Sequence, residues 1–284
     1  GSVLSIAEAL TNIVWAPLSE GLDSVSLSAN WMWPCKNEGE DARLYRAVEA
    51  CSDFACSLGI NIPTGKDSLS MTQKYGKDKV YSPGTVIISA GAEVSDIRKV
   101  VSPVLRTGVN STIYYIDFSF DKLKLGGSAF AQSLDKIGKE VPTVQDSEYF
   151  ANAFNAVQEL INKELILAGH DISAGGMITT MLEMNFANTE GGLEVSLDEI
   201  PEKDLVKILF SENPGILIQV EKTDEVEKIL KKAGVAFIRL ARPCDERHLL
   251  IHKDGADYQF FIDHLRDVWF ESSYLLDRKQ SGEK

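Results

Sequence analysis

The stretch Gly169-His170-Asp171-Ile172-Ser173-Ala174-Gly175-Gly176 sets a carboxylate and a hydroxyl inside a run of small residues. It follows the apolar residues 165–168 and opens a helical pattern through Met177, Met181 and Met184. A short strand that turns through glycines into a helix aims backbone N–H groups and the positive end of the helix dipole at one spot, where phosphate can sit. Asp171 and Ser173 add hard oxygen donors of the kind magnesium takes beside a nucleotide. The same residues also suit a tight turn in which Ser173 or Asp171 caps the helix and the glycines ease the backbone. Local sequence leaves both readings open. His170 has the chemistry of an acid–base group, but no partner is identifiable in the sequence and a structural role is expected.

Other residues carry weaker signals. Glu8 and Asn12 stand i,i+4 in a helical pattern, so both oxygens leave one face. Taken alone, the pair reads as a solvated helix face. Leu125-Gly126-Gly127-Ser128-Ala129 sits between a strand pattern and a helix pattern and is a second candidate phosphate cradle, without the dinucleotide spacing. Pro63-Thr64-Gly65-Lys66-Asp67-Ser68 shares its end with a P-loop but lacks the first glycine and leads into a strand, so a Walker motif is rejected. Lys66 and Asp67 are expected in a salt-bridged turn. The segment Leu27–Trp33 reads as core or interface, and Glu212, before Asn213-Pro214-Gly215, as a loop carboxylate. No catalytic residue is assigned.

The elements that must position these groups follow from periodicity. Helices are predicted over 3–16, 38–58, 147–163, 176–188, 202–210 and 224–233, with a helical tail from 261 and a short helix after Gly127. On the second, Leu44, Val48, Cys51, Ala55 and Leu58 make the apolar face. Strands are predicted near 25–30, 61–74, 79–93, 112–118, 165–168, 192–196, 215–221, 235–240, 248–253 and 257–262. Residues 101–110, with Pro103, Gly108 and Asn110, make the best boundary. This gives an α+β domain over 1–108 and a mixed α/β domain over 109–284.

The 284 residues suffice for one large domain or two ordinary ones. Net charge is −13, of which residues 1–108 carry −2 and residues 109–284 carry −11. An acidic chain without a basic cluster is a poor nucleic-acid binder. It can hold a nucleotide if divalent metal and backbone donors supply the positive field. No apolar run approaches a membrane span and no secretory segment is recognised, so no membrane partner is expected. Cys35, Cys51, Cys56 and Cys244 show no CxxC spacing. They read as buried free thiols, which suits a reducing cytoplasm. Gly1-Ser2 reads as an appended dipeptide ahead of a chain that begins inside a helical pattern.

Six strings occur in order along the chain: Ile6-Ala7-Glu8-Ala9-Leu10-Thr11-Asn12-Ile13, Leu27-Ser28-Ala29-Asn30-Trp31-Met32, Gly39-Glu40-Asp41-Ala42, Pro63-Thr64-Gly65-Lys66-Asp67-Ser68-Leu69-Ser70-Met71, Leu125-Gly126-Gly127-Ser128-Ala129 and Gly169-His170-Asp171-Ile172-Ser173. Together they resemble the second half of the synthetase region of the large phosphoribosylformylglycinamidine synthase family, the ATP-dependent glutamine amidotransferases of purine biosynthesis. The resemblance implies an aminoimidazole ribonucleotide synthetase-like pair of domains, an α+β domain followed by an α/β domain. It implies Glu8, Asn12 and Asp171 as magnesium ligands and Ser173 at the nucleotide, with Gly126 and Gly127 as further cofactor-binding positions. The family often has Asp where this chain has Ala174, and a further metal ligand lies upstream of Val3.

In that family this half holds an auxiliary ADP with magnesium, and turnover belongs to the related site of the first half. For the whole ligase, the resemblance implies that ATP activates the formyl amide oxygen of formylglycinamide ribonucleotide and that ammonia from glutamine displaces phosphate to form the amidine. The expected partners are nucleotide, the first synthetase half and the glutaminase domain, and a homodimer of the chain is a further expectation. Isolated, the chain is expected to be inactive. The rival readings are a purely structural nucleotide-holding module and a stand-alone aminoimidazole ribonucleotide synthetase-like kinase or ligase.

Overall fold

The computed structural model describes residues 1–282. In chain order the first half holds α1 (Ser2–Ile13), β1 (Ser26–Met32), α2 (Glu40–Ser57), β2 (Asn61–Ser68), β3 (Thr72–Tyr75), β4 (Asp78–Tyr81) and β5 (Thr85–Gly91). The second holds β6 (Thr112–Asp117), α3 (Ala129–Ser133), α4 (Ser147–Asn162), β7 (Ala168–Asp171), α5 (Gly176–Phe186), β8 (Gly192–Ser196), α6 (Leu205–Phe210), β9 (Gly215–Val220), α7 (Thr223–Lys232), β10 (Phe237–Cys244), β11 (His248–Lys253), β12 (Ala256–Phe261) and α8 (Ile262–Ser281).

Three strands in the order β2-β1-β5 make one sheet, and seven in the order β12-β11-β8-β10-β6-β9-β7 make another. In the larger sheet only β8 and β11 run parallel. The period-2 alternation of its central strands feeds a separate cluster on each face. Tyr114, Ile116, Ile216, Ile218 and Val220 face one way, onto the buried sides of α4 and α7. Ile113, Tyr115 and Leu217 face the other, among Met177, Met181 and Met184 of α5.

The first of these clusters does not stop at the larger sheet. It continues through Phe150, Phe154 and Val157 of α4 into Ile6 and Leu10 of α1 and Cys51, Phe54 and Ala55 of α2. Gln158 of α4, itself buried, fastens this junction. Its side-chain oxygen accepts from the Leu18 N–H at 2.8 Å, and its amide donates to the carbonyls of Val14 at 2.6 Å and Ala16 at 3.0 Å. Three backbone groups of the turn after α1 are thereby satisfied in a dry interior.

Four expectations are corrected. The strands predicted over 61–74 and 79–93 each break in two, because Ser82-Pro83-Gly84 interrupts the second and the intervening residues fold back as the β3–β4 hairpin. Its two-residue loop puts Gly76 at φ +61°, the left-handed region that such loops favour. The Pro63–Ser68 segment lies within β2, parallel to β1, so Lys66 and Asp67 sit on an exposed strand and not in a salt-bridged turn. On α2, Val48 is exposed and Leu44 half-buried, because the residues it buries, Cys51, Phe54 and Ala55, lie in its C-terminal half. Of the cysteines, Cys51 is buried, Cys35 and Cys244 are half-buried and Cys56 is exposed, and all are free thiols.

Candidate nucleotide and metal corner

The site begins where β7 ends. Asp171 pairs with Ile216 at the edge of the larger sheet, and its residue is buried. Its carbonyl accepts from the Thr180 hydroxyl at 3.1 Å, which ties the strand end to α5. The chain then turns through Ser173 and Ala174 to Gly175, at φ +91°, and into α5. That left-handed turn favours glycine, and a Cβ at Gly175 would also fall 2.3 Å from the Thr179 hydroxyl oxygen. The helix has no side-chain cap of its own. The Ser173 hydroxyl has no hydrogen-bond partner among the described residues and is only half-buried.

Helix α1 is brought to this corner by close backbone packing. A Cβ at Gly169 of β7 would lie 2.1 Å from the Trp15 ring, so glycine is needed for the end of α1 to reach the strand. The intervening segment is bonded to both sides, Val101 N–H to the Trp15 carbonyl at 2.9 Å and Gly169 N–H to the Ser102 carbonyl at 3.0 Å. Glu8 and Asn12 lie on the exposed side of α1, lining a groove of about 460 Å³ against β5. The Asn12 amide donates to the Glu8 carbonyl at 2.7 Å, leaving its side-chain oxygen free. Partial desolvation in the groove raises the Glu8 pKa, and the charges of Asp171 and Glu212 raise it further. Glu8 of α1 thus feels the negative charge of Asp171 and Glu212 from the other half of the chain, an excess that a hard cation would neutralise. Among the described residues, no group of three His, Cys, Asp or Glu side chains is gathered to hold a metal unaided. Two carboxylates, an amide oxygen and nucleotide phosphates together are a fitting donor set, because magnesium commonly takes one or two carboxylates plus phosphate.

His170 has the partners that sequence did not disclose. Its Nδ1 lies 2.8 Å from the Asp171 carbonyl and 3.5 Å from Asp171 Oδ1, and its Nε2 lies 3.3 Å from Glu183 Oε2. Burial works against the charged ring, but the bonds to Asp171 and Glu183 prevail and push its pKa up to about 10. The ring is therefore an imidazolium at neutral pH, standing behind Asp171.

The loop carrying Gly126 and Gly127 is arranged otherwise than a phosphate cradle requires. The Gly126 N–H donates to the Glu140 carbonyl at 2.8 Å, Gly127 to Ile137 at 2.6 Å and Ser128 to Leu125 at 3.2 Å. The next N–H, of Ala129, donates to Glu212 Oε1 at 2.7 Å. Every amide of this loop is engaged inside the protein. Glu212, expected to be an ordinary loop carboxylate, also accepts from Gly175 N–H at 2.8 Å. Sequence gave only its position before Asn213-Pro214-Gly215, since the two loops it joins lie 37 and 83 residues away. A cavity of about 690 Å³ lies between β6, β10 and the loop after β6. Tyr115, Asp117, Phe120 and Ile238 help to line it, and none of the predicted site residues does.

Comparison with known proteins follows this architecture. Residues 1–93 match the family described as the FGAR-AT PurM_N-like domain, and residues 110–249 match the AIR synthase related protein, C-terminal domain. The probable phosphoribosylformylglycinamidine synthase, chloroplastic/mitochondrial, of Arabidopsis thaliana is 38% identical over 282 residues, covering 98% of this chain and 20% of that protein. The phosphoribosylformylglycinamidine synthase of Homo sapiens is 35% identical over 285 residues, covering 98% and 21%. The chain thus spans about a fifth of the length of these curated relatives. Among solved structures, T. maritima PurL complexed with ATP superposes with a TM-score of 0.68 at 14% identity, over 93% of this chain and 41% of that one. E. coli HypE, a hydrogenase maturation protein, gives 0.62 at 16% identity, over 93% and 79%. At such identities the likeness is one of fold.

Proposed function

The chain belongs to the phosphoribosylformylglycinamidine synthase family, and from that premise we propose that it is a nucleotide-holding segment of the synthetase part of such a ligase. Glu8, Asn12 and Asp171 would hold magnesium, Ser173 would touch the nucleotide, and the ligand would be ADP or ATP. The observation that carries this reading is the turn itself: Asp171 closes β7, the Ser173 hydroxyl that follows has no partner among the described residues, and left-handed Gly175 leads into α5. The charges of Asp171 and Glu212 acting on Glu8 support it. Magnesium, when bound, supplies neutralising charge to the phosphates. The chain's own residues orient it: Asp171 is fixed by the β7–β9 pairing and by His170, and Glu8 by the packing of α1 on β5 and α2. Gly126 and Gly127 enter the reading only as the loop that Glu212 ties to the corner.

The activity of the complete enzyme, conversion of formylglycinamide ribonucleotide, glutamine and ATP to the amidine in purine biosynthesis, is proposed for the assembly and not for this segment. The first synthetase half and the glutaminase domain are the proposed partners, the division between the two domains is placed near residue 108, and the cytoplasm is the proposed compartment. Among the described residues no helix is long and apolar enough to cross a membrane.

Thermal melting with and without ADP and magnesium tests the binding. Saturating ligand at about 100 times its Kd should stabilise the wild type by about 2.7 kcal/mol, and Asp171→Asn should abolish that gain. An unshifted wild type refutes the site. Amidine formation by the chain alone from ammonia, ATP and substrate would refute the auxiliary role.

A further inference from the structure

Two glycine loops, far apart in sequence, end on one oxygen. Glu212 Oε1 accepts the N–H of Ala129, the first residue of α3, at 2.7 Å and the N–H of Gly175, at the N-cap of α5, at 2.8 Å. Two backbone N–H donors converge on one carboxylate oxygen, and both come from helix starts, whose first N–H groups lack partners within the helix. Phe130 of α3 also stacks on Phe210 of α6, against whose backbone Gly176 packs, but among the described residues Glu212 is the polar side chain bonded to both loops. Ser128 caps α3 from within its own loop, and α5 has no side-chain cap. The bond falls on the residue whose left-handed conformation sets the turn between Ser173 and α5.

We propose that Glu212 is a positioning residue, a latch whose one carboxylate oxygen ties the Gly126–Ala129 loop to the Ser173–Gly176 turn and so fixes the placement of Ser173 beside Asp171. This rests on the nucleotide–magnesium reading for its functional consequence, though not for the latch itself. Glutamine at 212 keeps an oxygen able to accept both N–H groups and loses the charge, whereas alanine removes the acceptor.

Hydrogen exchange of the ligand-free chain reads the latch directly. Glu212→Ala should speed exchange at both 126–131 and 173–178, by about tenfold or more at Ala129 and Gly175, while the strands of the larger sheet keep wild-type protection. Glu212→Gln should restore most of that protection in both loops together. In calorimetric titration with ADP and magnesium, the alanine variant should bind about tenfold or more weakly than wild type and the glutamine variant should recover much of the loss. Faster exchange in one loop only, or in neither, overturns the latch. So does an alanine variant that binds as tightly as wild type. Should the wild type itself not bind ADP with magnesium, the nucleotide reading fails, and the paired exchange of the two loops still decides the latch.

Discussion

At the scale of single residues, Glu8 is in conflict with the ligand-free fold. Its carboxylate is partly desolvated and faces the charges of Asp171 and Glu212. Glu8→Gln should therefore raise the Tm of the ligand-free chain, on the order of 1–3 °C, while weakening the gain from ADP and magnesium, both measured by calorimetric melting. Glu227 shows the opposite case. It accepts hydrogen bonds from Lys231 at 2.8 Å, Arg239 at 2.7 Å and Tyr114 at 2.9 Å, and chiefly the first two hold its pKa down to about 2. A depressed carboxylate stabilises above its ordinary value of 4.5 and loses that contribution as pH falls through about 2. The Tm gap between wild type and Glu227→Gln should thus be constant near neutrality and close in strong acid. Sequence showed Asp171, Ser173, Glu8 and Asn12 as residues with the right atoms. It could not show which were close, because their coupling depends on how α1 docks. His170 and Glu212 were undervalued for the same reason, as Glu183, Ala129 and Gly175 become their neighbours only in the fold.

At the scale of elements, apolar pattern disclosed most helices and strands because burial follows it, alternating along β11. Every residue of β9 is buried, and α4 hides one continuous stripe. Where burial is weak the prediction weakened too. β2, β3 and β4 are largely exposed, so the apolar pattern did not mark the break at Ser82-Pro83-Gly84. The tie between α4 and the turn after α1 was invisible, since it is made by one buried glutamine. Gln158→Leu would leave the Leu18 N–H and the Val14 and Ala16 carbonyls without partners. Each such buried group costs about 1–3 kcal/mol, so urea denaturation should show a loss of roughly 3 kcal/mol or more. The same variant should bind ADP and magnesium more weakly, because the end of α1 is what Gln158 fixes.

At the scale of the whole molecule, the two sheets do not correspond to two independent cores. One cluster runs from Ile6 and Leu10 through Phe54 and Phe150 to Ile216 and Val226. Phe150 meets Phe54 and Phe118 edge-on, at centroid distances of 5.7 and 5.3 Å, so one ring touches both halves. Differential scanning calorimetry should therefore record one cooperative transition, with calorimetric and van't Hoff enthalpies in agreement. Two resolved peaks would contradict a shared core. The connection over residues 101–110, half-buried or exposed at nearly every position, has a different standing from the core it joins. A protease that cleaved it would sever the polypeptide without parting the molecule. The two pieces would travel as one species on a native gel and separate only in denaturant, so cleavage at the seam would go unnoticed by any assay that measures size alone.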